Sequence, residues 1–391
     1  MKINLYEFDN TNLLYAFLIL LAFSLIFFSC NNNKEKLSNH ATINLTVDLE
    51  SIKEPQLKDV FSTIHIDTLE YTNHSVIGNP FNGKYYIYVP EKYFILADNR
   101  YVISIFDTNG KFLSSSINCI GEGPREYSIL QDFNYNKHDN TMEVLDHLGN
   151  IVVYDMSFNF ISKHKIALKP ADRVRIIYPY EKDNYALIDD TQKSIVYLYN
   201  KKNKKMGAIN YDGIIAPVTA NSTPFRHFAG EIYFFPCEIN NTIFIFNTKS
   251  KTFIPKYNIK SNKSINRKSV NKLKGGIEAI SKYVGYESNY YSPLNRFLSD
   301  TYMITLFIKG GNQFINIYNL KTNKNSTFSK SPHYKENIPT CYFLENDFMH
   351  AIIQPDEIYD FIDVSLVENK KILNSLNEFG NPLIVKYKLK L

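Results

Sequence analysis

The sequence predicts an all-β fold: a six-bladed β-propeller of four-stranded antiparallel blades, with a short helical insertion and a C-terminal helix before the closing strand. Three observations predict it. A paired-strand unit recurs at about 48 residues, the chain carries 29 Tyr and 28 Phe with no Trp, and few long helical patterns compete. Aromatic and β-branched residues suit short pleated strands. A unit of this size cannot bury both of its faces alone, whereas radial packing of several units can.

From the N-terminus, Leu13 to Phe28 is a run of sixteen uncharged residues ending at Ser29-Cys30. That is short for a membrane span and suits the apolar region of a signal peptide. The small residue before Cys30 predicts a bacterial lipoprotein site, with residues 1–29 removed and the Cys30 thiol lipidated. An uncleaved anchor is the alternative. Both readings put the body in the cell envelope, and the lipoprotein reading anchors it by lipid at the outer membrane. No run of acids after Cys30 decides between the periplasmic face and the exterior. Residues 30–59, rich in Asn, Lys, Ser and Glu, read as a flexible tether, and residues 60–391 as the propeller.

The clearest repeat spans Phe94 to Asp155. Phe94–Asp98 with Tyr101–Asp107, and Met142–Asp146 with Asn150–Asp155, are β-branched and aromatic runs around tight turns. Asp98 leads Asp107 by nine residues, as Asp146 leads Asp155 and Glu238 leads Asn247. Leu187–Asp190 with Ile195–Asn200, Tyr233–Glu238 with Thr242–Asn247, and Met303–Ile308 with Phe314–Asn319 continue the series. A last copy is read from Cys341 to Ile353. Turn markers thus fall at 98, 146, 190, 238, 310 and 347, which predicts six blades.

Two segments interrupt the pattern. Residues 256–284 open with seven basic residues and no acid by Lys274, then place Leu273, Ile277, Ile280 and Val284 at helical spacing. This insertion is read either as a solvated loop or as a basic flap facing an anionic ligand. Asp356 to Glu378 follows Pro355 with Ile358, Phe361, Ile362, Leu366, Ile372, Leu373 and Leu376 at largely helical spacing, predicting a helix. Pro382–Leu389 and Ile64–Leu69 are strand-like, and one of them is expected to complete a blade begun at the other end, which closes the ring.

Ile120-Gly121-Glu122-Gly123-Pro124-Arg125-Glu126-Tyr127, Val144-Leu145-Asp146 with Val153-Tyr154-Asp155, Ile77-Gly78, and Asn381-Pro382-Leu383-Ile384-Val385 carry a resemblance. The chain resembles the Bacteroidetes-type six-bladed β-propeller lipoproteins, which are similar in fold to NHL-repeat and TolB-like propellers. Arg125 stands where that family often has glycine. The resemblance implies an exported, lipid-anchored propeller, often found among surface nutrient-acquisition systems, and it implies no catalytic residue.

Catalytic motifs are absent from the sequence: there is no Gly-x-Ser-x-Gly elbow, His-Glu-x-x-His helix or phosphate-binding glycine loop. Cys119, Cys237 and Cys341 are isolated and read as buried free thiols, and no cysteine pair is spaced for zinc. No metal or cofactor is expected. The net charge of +5 is too modest in an exported chain to suggest nucleic acid. The speculative ligand-binding residues are Arg125, Glu126 and Tyr127 beside the glycine-proline turn, and Arg226, His227 and Arg296, with planar donors suited to an anionic or hydroxyl-rich ligand. The preferred reading is a noncatalytic binding or scaffold module with a glycan or envelope-protein partner. The alternative is a calcium-dependent lactonase- or lyase-like enzyme in the central channel, which needs three or more converging oxygen ligands.

Overall fold

A computed structural model describes residues 42–80, 84–167, 174–189, 194–211, 224–236, 240–261, 263–265, 267–270, 272–273, 276–287, 289, 291–330 and 337–391. Six antiparallel four-stranded sheets make six blades. Blade 1 runs from its inner strand Tyr86–Val89 through Tyr93–Ala97 and Ile103–Asp107 to its outer strand Phe112–Ser115. Blade 2 is Leu130–Asn136, Thr141–Asp146, Asn150–Tyr154 and Phe160–Lys165, and blade 3 is Val174–Glu181, Asn184–Asp189, Ile195–Asn200 and Lys205–Asn210. Blade 4 is Phe225–Phe228, Glu231–Phe234, Thr242–Asn247 and Thr252–Lys260; blade 5 is Ser292–Leu298, Tyr302–Lys309, Asn312–Asn319 and Lys324–Lys330. Blade 6 joins Phe343–Glu345, Phe348–Ile353 and Leu383–Leu389 to Phe61–Asp67 as its outer strand.

The recurring Asp and Asn positions are turn acceptors. Asp107 Oδ1 accepts from the amides of Asn109 and Lys111, Asp155 Oδ1 from Ser157 and Asn159, Asn247 Oδ1 from Lys249 and Ser250, and Asn319 Oδ1 from Lys321 and Thr322. Such side chains satisfy turn amides that no strand can reach. The core is divided among the blade interfaces. In blade 1, Phe94 and Leu96 pack with Ile384 of blade 6, while Ile95 and Ala97 pack with Val144 of blade 2. In blade 3, Tyr185 and Leu187 meet blade 2, while Ala186 and Ile188 meet blade 4. Alternate side chains therefore bury both faces of each sheet.

Leu383–Leu389 and Phe61–Asp67 pair antiparallel, so the two ends of the body share one blade. Asn381 fastens the seam. Its Oδ1 accepts from the Ile77 amide at 2.8 Å, and its Nδ2 donates to the carbonyls of Glu70 and Ser75, each at 2.7 Å.

Four expectations change. Residues 43–59 lie within the stretch read as a tether, yet Ile43–Thr46 adds in parallel to the outer strand of blade 4, Ile52–Lys53 adds to blade 5, and Leu57–Val60 is a helical turn. Leu45, Val47, Leu49, Leu57 and Val60 are buried, which supplies the apolar anchorage that composition alone understated. The segment read as one C-terminal helix is three 3-10 pieces, Pro355–Asp360, Val364–Leu366 and Lys370–Ser375. Local caps such as Asp363 accepting from the Ser365 amide break it. The marker at 347 sits between the first two strands of blade 6, whereas those at 98 and 310 sit between second and third strands and that at 146 ends the second strand. The equivalent connection in blade 6 is the 3-10 segment itself. Finally, Lys256–Lys260 belongs to the outer strand of blade 4, and the inserted helices are short, Arg267–Val270 and Gly276–Lys282, followed by a π-helical Tyr283–Glu287. Among the described residues no helix is long and apolar enough to cross a membrane. Cys30 and Cys237 lie outside the described residues. Cys341 is a buried free thiol, and Cys119 is a half-buried one.

Candidate functional site

An inner strand has a partner on one side only, so its other edge faces the axis with backbone groups that need satisfying. Near one end of the channel this is done by an ion pair. Lys84 Nζ lies 2.8 Å from Asp132 Oδ1 and donates to the Phe133 carbonyl at 2.9 Å. Asp132 Oδ2 accepts from the Ile177 amide at 2.9 Å, and Asn134 donates to the Ile177 carbonyl. Blades 1, 2 and 3 are thereby tied together. The two charged side chains are only 5% and 2% exposed. Burial pushes the Asp132 carboxyl up and the Lys84 ammonium down, each opposed by the other's charge.

The remaining axial space is a cavity of about 530 Å3 reached by all six inner strands. It opens where each inner strand turns into the second strand. Pro90, Lys137, Ala229, Asp300 and Asn346 are exposed there, whereas Lys84 and Pro224 are buried towards the other end. The glycine-proline turn and the 261–291 insertion join outer to inner strands, so both lie at the closed end.

Aromatic rings make the walls. Tyr178 stacks on Phe225 with centroids 5.0 Å apart and an interplanar angle of 18°. Across the cavity, Tyr88 meets the edge of Phe343 at 5.4 Å. Behind them His350 is buried, with Nδ1 3.3 Å from the Tyr86 hydroxyl and its ring 4.8 Å from Tyr88. Burial, reinforced by Lys386, holds the His350 imidazole down to about 3, so it is neutral at physiological pH.

Charge is confined to a few wall and rim positions. Lys137 stands at the rim of blade 2, reachable by water yet surrounded by protein, and that desolvation lowers its pKa. His227 of blade 4 is lowered by burial and by the nearby charges of Lys137 and His138. Asp300 and Glu345 line the wall from blades 5 and 6, and burial raises the Glu345 carboxyl. The Arg226 guanidinium lies 4.1 Å over the Phe297 ring, where burial lowers it to about 10 and leaves it cationic. Beside it burial raises the Cys341 thiol to about 12.

Of the residues singled out from sequence, Arg226 and His227 line the cavity, in the inner strand of blade 4. The others are elsewhere. Arg125 is exposed above the Phe160 ring at 5.8 Å, and its carbonyl accepts from the Tyr154 hydroxyl. Glu126 Oε2 accepts from the Gly123 amide at 2.9 Å, and it occupies the space that a side chain at Gly121 would need. Tyr127 is fully buried, its hydroxyl donating to the Tyr101 carbonyl and lying 2.5 Å from Ser116 Oγ. Arg296 is buried and donates to the carbonyls of Asn240 and Pro236. Lys84, Asp132, Lys137, Asp300 and Glu345 were missed. Their signal is position: each lies in or just beside the inner strand that precedes a recognisable hairpin. Among the described residues no group of three or more His, Cys, Asp or Glu is placed to hold a metal ion.

A family described as a domain of unknown function, DUF4934, matches residues 40–388, and the chain belongs to it. No curated protein matches. A crystal structure from Bacteroides fragilis, of a protein whose name suggests export, is 13% identical with a TM-score of 0.66, covering 89% of this chain and all of the other. A member of the DUF4221 family from Bacteroides vulgatus is 10% identical with a TM-score of 0.49, covering 85% of this chain and 97% of the other. These likenesses concern the fold.

Proposed function

We propose that this DUF4934 propeller is a noncatalytic binding module of the cell envelope, exported and held to the membrane by a lipid on Cys30, whose central cavity receives a glycan. One observation carries the reading. The cavity sets flat aromatic faces beside side chains, Lys137, Asp300 and Glu345, that make no hydrogen bond or ion pair among the described residues. Sugar rings present apolar C–H faces that suit such rings, and their hydroxyls suit carboxylate acceptors and ammonium donors. Export is supported by the apolar stretch before Cys30 and by the name of one structural neighbour, and lipidation by the small residue before Cys30.

The test is a thermal-shift titration of the full chain against a glycan panel, with calcium and EDTA as separate arms. A ligand at one hundred times its Kd stabilises the folded state by about 2.7 kcal/mol. We expect a metal-independent rise in Tm that Tyr88→Ala reduces. A calcium-dependent rise reversed by EDTA, or no rise with any glycan, would overturn the reading. Labelling with radioactive palmitate should mark the wild type and not Cys30→Ala.

A further inference from the structure

We infer that the ligand bears a carboxylate, seated between Lys137 and His227, so that the cavity selects acidic over neutral saccharides. This deepens the binding reading above and rests on it.

The rim is electrically divided. Lys137 comes from the turn of blade 2 and His227 from the inner strand of blade 4, and both line the cavity, where burial and then the charge of Lys137 lower the affinity of His227 for its proton. The blade between them contributes Tyr178 and Pro179 to the same wall and no charged side chain to the cavity lining. Lys137 has no carboxylate partner among the described residues, although exposed lysines elsewhere find one, as Lys182 does with Asp139. Basic groups gathered without a counter-ion repel one another, and a bound anion relieves that repulsion.

The opposite wall carries the reverse sign. Asp300 and Glu345 line the cavity from blades 5 and 6; burial raises the Glu345 pKa, opposed by the charge of Lys386 and reinforced by that of Glu91. Carboxylates accept sugar hydroxyls but repel a ligand carboxylate. An acidic sugar is therefore oriented with its charge towards blades 2 to 4 and its hydroxyls towards blades 5 and 6.

Isothermal titration of the detergent-solubilised full chain with a galacturonic acid trimer and the matching galactose trimer tests this. At low ionic strength the acidic trimer should bind at least tenfold tighter, and added salt should shrink that ratio. Lys137→Glu should bring the ratio to one or below, and Lys137→Arg should preserve it. Equal affinities in the wild type, or a preference that survives Lys137→Glu, would overturn the carboxylate assignment while leaving glycan binding intact. Failure of both trimers to bind would overturn the two readings together.

Discussion

The two ends of the propeller channel are built on opposite terms. At the closed end the noted polar side chains are engaged: Lys84 with Asp132, Glu126 with the Gly123 amide, Asn381 with three backbone groups. At the open end Lys137, Asp300 and Glu345 make no hydrogen bond or ion pair among the described residues. The difference teaches where the molecule spends its polar groups. The named groups at the closed end join blades, and these three at the open end are left available to a ligand. Substitutions at the closed end should therefore damage stability, and those at the open end should damage binding.

The largest expected effect is at the channel floor. Lys84→Met leaves Asp132 buried without its counter-charge, which costs about 3–5 kcal/mol in urea unfolding. Adding Asp132→Leu should recover most of that, because desolvation of the pair is removed as well. A single mutant as stable as wild type would break the comparison. Asn381→Ala strands one buried amide and two carbonyls at the seam, and should cost about 3 kcal/mol.

A pH series sharpens the contrast from the wall between the ends. The folded-state pKa of His350 lies near 3, below the ordinary value of 6.5. Between those values the unfolded chain holds a proton that the folded chain does not. Its contribution is thus fully present above pH 6.5 and falls by about 1.4 kcal/mol per pH unit as the pH drops through the window. His350→Gln should lose that slope when unfolding free energies are compared from pH 7 to 4. The smallest effect belongs to the rim. Lys137→Ala should change stability by no more than about 0.5 kcal/mol, measured by the same unfolding curves.

Much of the fold was legible and little of the site. The hairpins stand out because Asp107, Asp155 and Asn247 must accept turn amides, and few side chains can. The same logic made the glycine-proline turn conspicuous and led sequence reasoning to Arg125, Glu126 and Tyr127. Their role in the structure is to close that turn and join blade 1 to blade 2. Inner strands carry no comparable constraint. Lys137, Asp300 and Glu345 look like ordinary loop charges until six strands are placed around one axis.

By itself the sequence determined the blade count, the hairpins of blades 1 to 5 and the closure of the ring by its two ends. Those features rest on local backbone chemistry and on a two-residue side-chain period, both written within a few residues of each other. Only the tertiary structure decided that residues 43–53 add to the outer edges of blades 4 and 5, and that Lys137, Asp300 and Glu345 meet at the open end. Those arrangements bring together residues tens to hundreds of positions apart. Nothing local encodes such distances, because they are set by the packing of six separate interfaces around a common axis.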